Sequence, residues 1–88
     1  MPKIVWKRSA EKQLDKLPRS DSENIRKAVK ELEKWPDTAH LNIEKITDTK
    51  AHNRLRVGNY RVIWELKKGE PTVIEIQQVL RRTSRTYS

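Results

Sequence analysis

The chain has 88 residues, no cysteine and a formal net charge of +8. This length suits one domain, residues 1–88, with a single thin core, and the lack of cysteine excludes disulfides and thiolate zinc sites. The opening residues contain no apolar signal segment, and no run approaches the roughly 18 apolar residues of a membrane span, so we expect a cytoplasmic protein. The positive charge predicts an acidic partner, most simply nucleic acid or an acidic protein.

The first half of the chain predicts one short strand followed by two helices. Residues 4–6 form an apolar run suited to a strand. Ser9 is a predicted N-cap, and apolar residues then recur at helical spacing until Pro18. Ser20 and Glu23 have the spacing of a capping box at the start of a second helix.

The second helix is predicted to end before Pro36. Its apolar stripe consists of Ile25, Val29, Leu32 and Trp35. Residues 37–51 are ambiguous: Leu41, Ile43 and Ile46 indicate a short strand, and residues 47–50 have the composition of a loop.

The second half predicts three antiparallel strands, at about residues 52–57, 60–66 and 72–79. Gly58 and Asn59 lie between the first two, the kind of pair that closes a two-residue hairpin. Such a hairpin pairs Val57 with Tyr60, Arg56 with Arg61, Leu55 with Val62 and Arg54 with Ile63. Because side chains alternate along a strand, one face is apolar and packs on the core. The other face, here called the open face, carries His52, Arg54, Arg56 and Arg61.

The register of the third strand depends on the length of the loop before it. A four-residue loop would pair Glu65 with Ile74 and mix charge into the core, whereas a five-residue loop pairs Trp64 with Ile74 and keeps one face apolar. The five-residue loop is therefore predicted. It places Gln77 opposite Arg61, and the alternation then brings Arg81 to the open face.

The predicted order is β-α-α-β-β-β, an α+β fold with two N-terminal helices packed on one face of an antiparallel sheet. The trio of Trp6, Trp35 and Trp64 is predicted to belong to the core, as is Tyr60.

Exposed arginines on a strand often serve only solubility, but here cationic groups converge from three strands, which favours a phosphate-binding face. Cleaving RNA without a metal requires a base for the ribose 2′-OH, positive charge beside the phosphorane, and a proton for the leaving 5′-oxygen. Arginine suits the second task and is a poor base. His52 is the group of this cluster that titrates near neutrality. The residues alone indicate a phosphate-handling face and leave open whether it is catalytic.

The run from Leu55 to Glu65, with the two preceding helices and the later Arg81 to Tyr87, resembles the RelE/ParE toxin superfamily over nearly the whole chain. The segment from Arg81 to Tyr87 resembles the RelE-type branch. The resemblance implies a RelE-like microbial RNase-type fold. It also implies a type II toxin that cleaves mRNA in the ribosomal A site, without metal or cofactor, and so inhibits translation.

The resemblance also implies partners and residue roles. Partners would be the ribosome with its mRNA, an acidic and partly disordered cognate antitoxin, and operator DNA bound through the antitoxin complex. Arg61 would hold the scissile phosphate, Arg81 would stabilise the transition state or assist the leaving group, and Tyr87 would stack on or orient a base. His52 and Arg54 stand where well-known members have lysines, so which group acts as the base stays open. The predicted further RNA contacts are Arg56, Gln77, Arg82 and Arg85.

Two alternatives belong to other functional classes. A ParE-like toxin shares the fold but inhibits DNA gyrase through protein contacts, and needs no RNase cluster. A non-catalytic nucleic-acid-binding module would keep the charge without cleavage. The combination of Arg61, Arg81 and Tyr87 favours the RelE-type RNase.

Overall fold

The structure is a computed structural model that describes residues 2–45 and 52–81. Two helices pack on a five-stranded sheet of order β1-β5-β4-β3-β2. The predicted α+β class is confirmed. The sheet is mixed, since β1 runs parallel to β5 and the other neighbours are antiparallel. The elements are β1 Lys3–Trp6, α1 Arg8–Asp15, α2 Arg19–Glu31, a 3₁₀ turn Leu32–Lys34, β2 Ile43–Lys45, β3 His52–Val57, β4 Tyr60–Lys67 and β5 Val73–Arg81.

The core lies between the two helices and one face of the sheet, where α1 contacts β5 and α2 contacts β3. Trp64 is fully buried at its centre, and Trp35 meets it edge-on with ring centroids 5.2 Å apart. Trp6 and Trp35 are half-buried against this core, so their predicted location is confirmed. The helices contribute Ala10, Leu14, Ile25, Val29 and Leu32.

Both helices begin earlier than the sequence pattern predicts. α1 starts after Lys7 and α2 starts after Pro18, and at neither start does a side chain cap a backbone N–H. Pro18 explains the second difference, because its fixed φ already suits a helix start and its missing N–H needs no partner. The predicted caps at Ser9 and Ser20 are therefore wrong, while the stop before Pro36 is confirmed by the short 3₁₀ turn. None of the helices within the described residues is long and apolar enough to cross a membrane.

The β3–β4 hairpin has the predicted register, with Arg56 opposite Arg61. Gly58 occupies the tight turn with φ of +55°, the left-handed region that glycine adopts without a steric penalty. β2 then extends the sheet beyond β3, pairing Ile43 with Leu55. The predicted strand residue Ile46 lies outside the described residues.

The β4–β5 register differs from the prediction. Trp64 pairs with Ile76, and Leu66 pairs with Ile74. The shift is two residues, so the same side chains still face the core and the predicted apolar face is retained.

A β-bulge opposite Ile63 and Trp64 then shifts the alternation of β5 side chains between the two faces by one residue. Gln77 is the extra residue of this bulge. Strict alternation after Ile76 would bury Gln78, whereas the bulge buries Val79, which is 6% exposed and pairs with Val62. The predictions that Gln77 lies opposite Arg61 and that Arg81 lies on the open face are therefore wrong. Leu80 pairs with Arg61, and Arg81 pairs with Tyr60.

Candidate phosphate-binding site on the open face

Arg56 and Arg61 form the centre of the open face. They lie directly opposite each other on β3 and β4, next to the Gly58 turn. Directly opposed like charges destabilise a sheet. Among residues 2–45 and 52–81, neither guanidinium has a carboxylate within 4.0 Å. The described part of the fold thus brings two cations together and offers neither of them a carboxylate, the arrangement that favours a bound anion.

Arg54 lies on the same face, but its charge is already matched. Its Nη2 donates to Oε1 of Glu44 at 2.8 Å, across the β2–β3 ladder. Glu44 could not be identified as the partner from the sequence, because the pattern of residues 37–51 is ambiguous. The available signal was the alternation of apolar and polar residues from Leu41 to Glu44, which places Glu44 on the polar side of a strand.

His52 faces an acidic row instead of the arginine pair. It lies opposite Glu65 on β4, and Glu65 in turn lies opposite Glu75 on β5. His52 Nε2 is 3.9 Å from Glu65 Oε1, and its Nδ1 is buried without a hydrogen-bond partner in the described chain. In this arrangement a protonated His52 would form an ion pair with Glu65.

Gln77 bridges Glu65 and Glu75 by hydrogen bonds. Its Nε2 donates to Glu65 Oε1 at 3.1 Å and to Glu75 Oε1 at 2.6 Å. Lys67 Nζ lies 3.2 Å from Glu75 Oε1 and supplies a positive charge to the row. The amide of Gln77 therefore makes hydrogen bonds within the protein at the bulge, and its contact with RNA stays a prediction.

Arg81 lies at the end of β5, opposite Tyr60 and hence on the core side of the sheet. Tyr60 is 6% exposed, which confirms its predicted core position, and its hydroxyl donates to Asp21 Oδ2 at 2.8 Å. This hydrogen bond, aided by burial, raises the pKa of Tyr60, while the charge of Arg81 acts in the opposite direction. Arg61 and Arg81 therefore lie on opposite faces of the sheet.

The remaining predicted site residues, Arg82, Arg85 and Tyr87, lie outside the described residues. Leu80 is the open-face residue that sequence analysis missed, and it lies opposite Arg61. The sequence signal for Leu80 is the break in the apolar alternation at Gln77 and Gln78, which indicates that side chains after it have exchanged faces.

Comparison with solved structures shows the same fold in RelE toxins. The isolated Escherichia coli RelE toxin matches with a TM-score of 0.78 and 18% identity, over 99% of this chain and 92% of that chain. A chain of the archaeal RelE–RelB complex from Pyrococcus horikoshii matches with a TM-score of 0.77 and 23% identity, over 94% of this chain and 97% of that chain. A chain of the RelB–RelE antitoxin–toxin complex from Methanococcus jannaschii matches with a TM-score of 0.68 and 24% identity, over 88% of each chain.

Comparison with curated proteins finds no match. The family model of the ParE toxin of type II toxin–antitoxin systems, parDE, matches residues 4–85. That match spans both helices, the hairpin and the arginine pair. The chain thus belongs to the ParE toxin family, within the RelE/ParE superfamily of type II toxins.

Proposed function

We propose that this toxin is a ribosome-dependent endoribonuclease that cleaves mRNA in the ribosomal A site and so inhibits translation. The observation that carries the proposal is the opposed pair of Arg56 and Arg61, which has no carboxylate partner in the described chain. Two adjacent guanidinium groups exceed the single negative charge of a phosphodiester and match the double negative charge of a dianionic phosphorane.

In the proposed reaction the ribose 2′-oxygen loses its proton and attacks phosphorus. The bond from phosphorus to the 5′-oxygen then breaks, and that oxygen takes up a proton. Arg61 holds the scissile phosphate with Arg56 beside it. His52 and Arg54 lie further along the same strand and serve acid–base work or orient the substrate, with the proton-accepting group unassigned.

The remaining residues of the proposed site are Arg81, Arg82, Arg85 and Tyr87. Arg81, which lies on the core side at the end of β5, stabilises the transition state or assists the leaving group. Tyr87 stacks on a base, and Arg82 and Arg85 contact ribosomal RNA without sequence preference.

The proposed partners are the ribosome with its mRNA and a cognate antitoxin. RelE is found with RelB in the solved complexes from two archaea, which supports an antitoxin for this chain. We propose that the antitoxin is acidic and partly disordered, that it folds on binding, and that the complex binds operator DNA.

The test is induced expression followed by primer extension on a translated message. Arg61→Ala should lower cleavage by about 10²-fold or more, the loss expected when one preorganised charge donor is removed. Lys67→Ala is the matched control, because it removes a cation of the open face that is already paired with Glu75. Equal cleavage by wild type and Arg61→Ala would refute the proposal.

The second candidate is inhibition of DNA gyrase. It is favoured by the ParE family match, and by the pairing of Arg54 with Glu44 and of His52 with Glu65, which leaves fewer groups for RNA. Purified toxin that changes gyrase supercoiling, and yields no ribosome-dependent cuts, would establish this alternative.

A further inference from the structure

Ion pairing divides the open face into two ends. At the paired end, Lys67 lies 3.2 Å from a carboxylate oxygen of Glu75, and His52 lies 3.9 Å from one of Glu65. At the other end, here called the turn end because it adjoins Gly58, lie Arg56, Arg61, Ile63 and Leu80. The turn end therefore combines unmatched positive charge with apolar side chains.

Leu80 is 39% exposed, the one exposed large apolar side chain within residues 2–45 and 52–81. It lies directly opposite Arg61 on the neighbouring strand. Half-buried Ile63 is its diagonal neighbour on the same face, a separation of about 7–8 Å that side chains can bridge. β1 ends at Trp6, opposite Ile76, so it does not extend along β5 as far as Leu80.

We propose that Leu80, supported by Ile63, contacts the nucleobase of a single-stranded RNA nucleotide whose phosphate is bound by Arg56 and Arg61. The proposal rests on the proposed function and deepens it, because it names the residue of the described chain that meets a base. Leu80 would then contribute to base preference at this position.

The charge geometry favours a nucleotide over an acidic peptide. One arginine can satisfy a carboxylate by a bidentate contact, which would leave the second guanidinium unmatched. In a phosphodiester the two non-bridging oxygens stand apart on a tetrahedral phosphorus, with two ester oxygens as further acceptors, so both arginines can donate to it. A single strand is favoured over a duplex because its unstacked bases can place a flat apolar face on a side chain, whereas duplex bases are covered by their neighbours.

The test compares two oligonucleotides by fluorescence anisotropy at fixed ionic strength. One is a short 2′-O-methyl RNA, which has no free 2′-OH and cannot be cleaved by the proposed reaction. The other has the same backbone without bases. Leu80→Ser should weaken binding of the first by about fivefold, the loss expected when a partly exposed leucine no longer meets an apolar surface, and leave the second unchanged.

Two further variants make the result specific. Arg56→Ala should weaken binding of both oligonucleotides alike, because it acts on the phosphate. Val73→Ser is the matched control, since Val73 is an apolar residue of the same face at the paired end, opposite Lys67, and it should change neither affinity. Thermal melting followed by circular dichroism establishes that each variant is folded.

The proposal is overturned if Leu80→Ser affects both oligonucleotides equally or neither, or if Val73→Ser produces the same selective loss. A Leu80→Ser variant that binds RNA normally but loses affinity for polyglutamate would assign the turn end to a protein partner instead. Because the probes cannot be cleaved, absence of ribonuclease activity would refute the proposed function without deciding this result.

Discussion

The hydrogen bond from Tyr60 to Asp21 joins the start of α2 to the end of the sheet that carries the arginine pair. Tyr60 lies at the first position of β4, and its ring is buried while its hydroxyl reaches Asp21 Oδ2 at 2.8 Å. A buried phenol without a partner would be costly, so Asp21 is the residue that makes a tyrosine acceptable here. Tyr60 thus has a structural role although it neighbours the candidate site in sequence.

We expect Tyr60→Phe to lower the melting temperature by about 4–8 °C at neutral pH, because one hydrogen bond to a charged acceptor is lost. The pKa of Tyr60 is raised in the folded protein by the Asp21 hydrogen bond. This contribution to stability is therefore fully present below the unfolded tyrosine pKa of about 10, and is lost as pH rises through the higher folded value.

The measurement is urea denaturation of wild type and Tyr60→Phe from pH 7 to pH 11.5. The gap between their midpoints should close above about pH 10, where the wild type loses its advantage. Asp21→Asn provides the control, since Tyr60→Phe should matter less in that background. A gap that stays constant to high pH would show that the hydrogen bond is not its source.

Among the elements, β5 shows most clearly how a sequence pattern sets a register. Its apolar residues Ile74 and Ile76 alternate, and the next core residue is Val79, so two glutamines stand where alternation has room for one. The bulge accommodates the surplus residue, and Gln77 uses it to donate to Glu65 and Glu75. Beyond the end of β1, the Val79 N–H donates instead to Gln13 Oε1 of α1 at 2.7 Å.

Deleting one of these glutamines should leave the fold intact, because it removes the surplus residue and keeps Val79 opposite Val62. We expect a modest loss of stability, of about 1–2 kcal/mol, from the unbridged glutamates. Deleting Glu75 is the matched control, since it would turn Ile74 or Ile76 out of the core and should unfold the protein. Chemical denaturation and amide NMR spectra would measure both; similar damage from the two deletions would contradict the role given to the bulge.

The fold was predictable where local pattern and tertiary packing agree, as in the apolar stripe of α2 and the Gly58 hairpin. The register of β5 could not be predicted in the same way. A bulge forms where packing against the neighbouring strand buries Val79 in place of Gln78, and the sequence of β5 alone does not show this. The same limit applies to the site. Alternation predicted the open-face positions of Arg56 and Arg61, but it could not show that Glu44 neutralises Arg54 or that Arg81 faces the core side.

At the scale of the whole molecule, the net charge of +8 overstates how much positive charge the open face offers. Arg54 Nη2 lies 2.8 Å from Glu44 Oε1, and Lys67 Nζ lies 3.2 Å from Glu75 Oε1. We therefore expect the arginine pair near the turn to contribute more to anion binding than its share of the total charge suggests.

Salt dependence measures this difference. For binding of a non-cleavable single-stranded RNA, the slope of log K against log salt should fall in magnitude by about 0.7 in Arg56→Ala and again in Arg61→Ala, one phosphate contact each. Lys67→Ala should change the slope less, because its charge is shared with Glu75. Equal slope changes in all three variants would mean that total charge, and not its placement, governs binding.

The parallel pairing of β1 with β5 has a consequence for synthesis of the toxin. Ile4 lies beside Ile74, so β1 acquires its neighbour on the sheet only after residues 73–81 have been made. Contacts between such distant residues slow folding, and a chain emerging N-terminus first cannot form them early. β4 likewise has no β5 partner until residues 73–81 are clear of the ribosome. The finished sheet, and with it the open face of the toxin, therefore forms only after β5 has left the ribosome.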